Sequence, residues 1–79
     1  MKKDVEYKLR VQVINYMLEL EKIYNTRFTL EYKYPYPNSI YPNGGWQIEY
    51  ASTTVIFTSA ETLEALKEIL KMHMEMLKI

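Results

Sequence analysis

The side chains able to do chemistry are few. His73 is the single histidine and stands between Met72 and Met74. An imidazole there could act as a general acid or base, but that role needs a Ser, Asp or Cys within reach, and local spacing suggests none. The one Asp is Asp4, near the first residue, and cysteine is absent. Absence of thiols removes disulfides, thiolate metal sites and a Cys nucleophile. Glu61, Glu64, Glu68 and Glu75 share one helical face, an oxygen-rich patch of the sort a hard cation uses. Lys67, Lys71 and Lys78 are interspersed with them, which reads as a solvated face of mixed charge. Gly44-Gly45 has no Lys-Ser/Thr after it and no G-x-G-x-x-G context, so it reads as a turn and not a phosphate cradle. The expectation is a protein that is not an enzyme, with no catalytic residue, no cofactor and no metal.

Aromatic side chains offer a different chemistry, that of contact. Tyr occurs eight times, and Tyr32, Tyr34, Tyr36, Tyr41, Trp46 and Tyr50 fall between positions 32 and 50. Tyr and Trp give large contact area at low entropic cost and dominate interface hot spots. Tyr34, Tyr36, Ile40, Tyr41 and Trp46 are the candidate partner-binding residues. The competing arrangement is a loop folded back onto its own aromatics. Single-stranded nucleic acid would stack on the same rings but needs a basic groove, and only Arg27 and Lys33 are near.

The elements that would carry these residues follow from breakers and periodicity. All three prolines and both glycines lie between Pro35 and Gly45, which marks one long loop. No repeat or low-complexity tract is visible. Over 59–78, Leu63, Leu66, Leu70, Met74 and Leu77 recur at helical steps, and Thr58-Ser59-Ala60-Glu61 matches a capping box. Phe28, Leu30, Tyr32 and Tyr34 alternate with polar residues, as do Trp46, Ile48 and Tyr50, and 53–58 is β-branched and aromatic. Ala51-Ser52 is the expected turn between the last two strands. Residues 4–25 read as a helix, with Val5, Leu9, Val13, Tyr16, Leu20 and Ile23 on its main face. The same start also alternates strictly, so the alternative is a strand over 4–13 followed by a short helix.

The expected architecture is α+β: two helices on one face of a three-stranded antiparallel sheet, in the order α-β-β-β-α, the alternative being β-α-β-β-β-α. Phe28, Leu30, Tyr32, Trp46, Ile48 and Tyr50 would face the helices, and Thr29, Glu31, Lys33, Gln47 and Glu49 would face water. Each helix also carries a second apolar stripe: Tyr7, Val11, Ile14 and Leu18 on the first, and Ile69, Met72 and Met76 on the second. The first has the four-three-four spacing of a coiled-coil seam. These are the candidate self-association residues, and a homodimer is the expectation.

At 79 residues and 9.5 kDa the chain has room for one domain, spanning 1–79. Ten basic and ten acidic residues give zero net charge, which disfavours a general binder of nucleic-acid phosphates. Apolar positions after Met1-Lys2-Lys3-Asp4 are interrupted by charges, so neither a secretory segment nor a membrane span is expected. A cytoplasmic protein is the expectation.

The order of elements resembles that of the double-stranded RNA-binding domain over nearly the whole chain. That family reads RNA phosphates with a Lys-rich start to its second helix. The corresponding positions here hold Ser59, Ala60, Glu61, Thr62 and Glu64, so no binding residue is carried over. A short, neutral chain without reactive groups also resembles the small accessory proteins of bacterial viruses, many of which inhibit a host enzyme or defence system by stoichiometric binding. The function expected is a protein-interaction module of that type. The alternatives are a nucleic-acid-binding regulator and a small-ligand receptor whose loop aromatics cage a nucleotide.

Overall fold

The computed structural model describes residues 2–77, with side chains from Asp4 onward. The chain runs α1 (Lys2–Tyr24), β1 (Phe28–Lys33), β2 (Gly45–Tyr50), β3 (Ile56–Ala60) and α2 (Leu63–Leu77). The strands form one antiparallel sheet in the order β1-β2-β3. This is the expected α+β arrangement with a helix first, and it overturns the alternative of a strand over 4–13. Leu9, Val13, Tyr16, Met17 and Leu20 meet the core, a 3.6-residue period. Alternation would have buried Tyr7 and Val11, which are exposed.

Asn25 ends α1 in the left-handed region, with φ 51°. The Thr26 N–H then donates to the Glu21 carbonyl at 3.1 Å, closing the last turn. The Glu21 carboxylate accepts the Phe28 N–H at 2.8 Å, which ties the helix end to the start of β1. The two helices run in the same direction. Val5, Glu6 and Leu9 share a cleft with Leu63 and Glu64, while Tyr24 at the other end of α1 bonds to His73.

The core joins Val13, Met17 and Leu20 of α1 to Leu63, Leu66, Leu70 and Met74 of α2, over Phe28, Ile48 and Ala60 of the sheet. Full burial of a leucine such as Leu66 contributes roughly 2 kcal/mol. The register places Tyr32, Trp46 and Ala60 in one cross-strand row and Leu30, Ile48 and Thr58 in the next. A bulge opposite Ile48 and Glu49 admits Phe57 as an extra residue in β3.

Four expectations are corrected. The strand expected over 53–58 is Ile56–Ala60, because the turn before it is longer. The Tyr50 carbonyl accepts the Thr53 N–H at 3.1 Å and the Thr53 hydroxyl at 2.7 Å, with Ser52 at φ 64°. Ala51 and Ser52 do occupy the middle of that turn, but Thr53, Thr54 and Val55 belong to the same connection. The helix expected from residue 59 begins at Leu63. Its cap is Thr62, whose Oγ1 accepts the Ala65 N–H at 3.1 Å. Ser59 and Ala60 remain paired with Gln47 and Trp46, so strand pairing overrides the capping pattern at 58–61. Val5, Ile23 and Leu77, expected on inner faces, are largely exposed. Twenty-three helical residues span about 35 Å and six strand residues about 20 Å, so the helix ends overhang the sheet. The expected helix end at Lys78 lies outside the described residues.

The fourth correction is Gln47. It was expected to face water and is only 8% exposed. The long loop accounts for this.

Candidate functional site

Between β1 and β2 the chain makes two consecutive turns of one design. Tyr36-Pro37-Asn38-Ser39 closes with the Ser39 N–H on the Tyr36 carbonyl at 3.0 Å, and Tyr41-Pro42-Asn43-Gly44 closes with the Gly44 N–H on the Tyr41 carbonyl at 2.9 Å. Proline at the second position presets each turn. The Tyr-Pro-Asn repeat, five residues apart, is a signal that reading the loop by composition alone overlooks. The second turn folds back over the outer face of the sheet. The Tyr41 ring lies where a Cβ on Gly45 would come within 2.8 Å of it, and its hydroxyl is 2.8 Å from the Ser59 hydroxyl. Tyr41 and Ser59 thereby cover Gln47, whose amide donates to the Glu49 carboxylate.

The five candidate partner-binding residues therefore divide. Tyr41 is half-buried as a strut. Tyr34, Tyr36 and Ile40 remain outside, at 79%, 62% and 81% exposure. A hollow of about 400 Å³ lies under the loop and is lined by these four residues. Trp46 is half-buried on the opposite, helix-facing side of the sheet.

An open cleft of about 820 Å³ lies at the amino ends of both helices. Its floor is the row Tyr32–Trp46 with Tyr34 beyond it. Ring centroids are 4.9 Å apart for Tyr32 and Trp46, and 5.1 Å for Tyr32 and Tyr34. Val5, Glu6, Leu9 and Arg10 form one wall, and 61–64 form the other. The Arg10 guanidinium lies 5.2 Å from the Trp46 ring centroid and donates to the Glu6 carboxylate at 3.2 Å. Tyr34 borders both the cleft and the hollow, so the two concavities meet at its ring. Arg10 is a site residue that the sequence alone did not mark; Tyr32 was noted only as one ring of the aromatic set, and Glu61 and Glu64 only as part of a charged helix face. Their proximity depends on strand register and on helix direction, neither of which leaves a local pattern.

His73 sits at the other end of the molecule. Its Nε2 is 2.5 Å from the Tyr24 hydroxyl, and its ring lies tilted against Phe57 in an aromatic cluster, with centroids 5.3 Å apart. That cluster, with Phe28 and Tyr50, fills the bottom of the helix–sheet interface. Among the described residues no group of three His, Asp or Glu side chains is placed to hold a metal ion. No described helix is long and apolar enough to cross a membrane.

The seven candidate self-association residues all stay outside the core. On α1, exposure runs from 38% at Val11 to 70% at Tyr7, with Ile14 and Leu18 between; on α2, Ile69, Met72 and Met76 span the same range. At 100° per residue the α1 stripe is centred about 150° from the buried face. It is therefore the back of the helix. Comparison of the chain with protein-family models, curated proteins and solved structures finds no match.

Proposed function

We propose that this chain is a small non-enzymatic protein-interaction module that pairs with a second copy through α1 and holds a partner protein at its aromatic end. Inhibition of a host enzyme or defence system by stoichiometric binding, in the manner of phage accessory proteins, is the role this suits. The observation that carries the reading is the apolar back of α1. Tyr7, Val11, Ile14 and Leu18 are exposed, clear of the core, and spaced as a helix-pairing seam.

The seam is symmetric about a point between Gln12 and Val13. A two-fold antiparallel pairing sets Tyr7 against Leu18 of the second copy and Val11 against Ile14, and brings Asp4 of each near Lys22 of the other. Four side chains cover only part of the roughly 800 Å² per partner of a stable interface. The dimer is accordingly weak, with dissociation expected at roughly 10–100 μM.

Light scattering across that concentration range tests the pairing. The mass should climb from 9.5 kDa towards twice that value, and Leu18→Glu should hold it at the lower figure. Met72→Glu, on the α2 stripe, should leave the rise intact. A mass of 9.5 kDa at every concentration removes the second copy from the proposal.

A small-ligand receptor is the second reading. The cleft volume of about 820 Å³ falls within the range of small-molecule sites. Nucleic acid has less support, because Arg10 and Lys33 are already engaged with Glu6 and Glu31.

A further inference from the structure

The cleft at the amino ends of the helices combines aromatic rings with acidic side chains. Tyr32, Tyr34 and Trp46 supply its floor, and Glu6, Glu61 and Glu64 stand on its walls. Glu6 is neutralised by Arg10. Among the described residues neither Glu61 nor Glu64 makes an ion pair. Glu61 and Glu64, unpaired among the described residues, thus line a cleft with an aromatic floor. Ring faces attract cations through their quadrupole, and nearby carboxylates add a Coulomb term of the same sign.

We infer that this cleft binds the ammonium or guanidinium head of a lysine or arginine side chain presented by the partner protein, caged by Tyr32, Tyr34 and Trp46 and balanced by Glu61 and Glu64. The inference rests on the interaction reading above. Arg10 is the internal stand-in for the ligand, since its guanidinium already lies over Trp46 at 5.2 Å. An incoming head meets Tyr34 first, the most exposed ring of the three. It then competes with Arg10 for the indole face. An anion fits poorly at the same place. At the start of α2 the Ala65 N–H is taken by the Thr62 hydroxyl, and Glu61 and Glu64 flank that turn.

Trp46 is the single tryptophan, so its fluorescence reports the cleft. The full chain is titrated with otherwise neutral peptides carrying lysine, trimethyllysine, arginine or norleucine, with tetramethylammonium, and with inorganic phosphate. The cationic peptides should change Trp46 emission saturably, and the norleucine peptide should bind at least about tenfold more weakly. Replacing both carboxylates (Glu61→Gln with Glu64→Gln) or Tyr34→Ala should weaken cationic peptides by about tenfold. Arg10→Gln should strengthen them, by about threefold or more, because it vacates the indole face and removes a like charge. A purely structural Arg10 would not give that gain. Equal binding of lysine and norleucine peptides, saturable binding of phosphate instead of cations, or weaker binding in Arg10→Gln overturns the inference. Tetramethylammonium binding as tightly as the trimethyllysine peptide overturns the polypeptide source in favour of a free cation. If cationic peptides fail while light scattering finds the dimer, the ligand assignment falls and the interaction module stands. The reverse pattern removes only the second copy.

Discussion

Thr62 decides where the last helix begins. Its Oγ1 accepts the Ala65 N–H at 3.1 Å, and its carbonyl accepts the Leu66 N–H at 3.0 Å. Thr62→Ala should cost about 1 kcal/mol in urea unfolding, with Thr62→Asp restoring most of it. Glu61→Ala, which would break a capping box at 58–61, should change stability by less than about 0.5 kcal/mol. The contrast between the two variants locates the cap. The 58–61 pattern misled because a capping box competes with whatever else its residues can do. Ala60 is buried and paired with Trp46, and a local signature carries no information about a strand fourteen positions away. Gly44 was legible as a turn residue, whereas Gly45, read as part of the same turn, is the first residue of β2 and pairs with Lys33; the reason for glycine at either position was not legible. At φ 93° a Cβ on Gly44 would lie 2.5 Å from the Tyr32 hydroxyl, and Gly45 makes room for the Tyr41 ring.

Among the elements, the helices were the most legible and β3 the least. Helical periodicity is self-contained, so Leu63, Leu66, Leu70 and Met74 identify their own inner face. The exposed stripe of α1 is equally visible, being the same period read on the far side. β3 shifted because its neighbouring turn absorbs Thr53 to Val55, and because the bulge re-aims Phe57. Phe57 is consequential despite its half-buried state. Its ring lies 4.7 Å from Phe28, 5.3 Å from His73, 5.8 Å from Tyr50 and 5.9 Å from Tyr24. It thus joins both helix ends to the sheet through one side chain. Phe57→Ala should destabilise by about 3 kcal/mol, read from the urea midpoint at unchanged slope. Phe57→Leu should recover more than half of that loss, since most of the apolar volume returns. The aromatic cleft at the opposite end was legible only in its parts. Tyr34 and Trp46 could be picked out as rings, but the long loop conceals that Tyr32 stands opposite Trp46, and nothing local brings Arg10 over the indole.

At the scale of the whole molecule, the exposed back of α1 has a thermodynamic consequence. A 79-residue domain buries only about 60–65% of its unfolded surface and is marginal alone. Association of folded chains then adds stability by mass action, so the melting temperature depends on concentration. Raising the chain from well below to about tenfold above the dimer dissociation constant leaves about one fifth of it monomeric and adds roughly 1 kcal/mol per chain. For a domain of this size that shifts the midpoint upward by about 4–8 °C. Leu18→Glu should abolish the shift. At the lowest concentration it should melt within about 2 °C of the unmodified chain, because an exposed side chain contributes little to the monomer. Equal destabilisation at every concentration would instead mean that Leu18 packs within its own chain. The antiparallel pairing also places the two clefts at opposite ends of the dimer, because Val5, Glu6 and Leu9 occupy the amino end of α1. With each helix about 35 Å long, a short cationic peptide cannot bridge both clefts. Its affinity should therefore be the same for Leu18→Glu as for the unmodified chain, which separates the binding of a partner from the binding of a second copy.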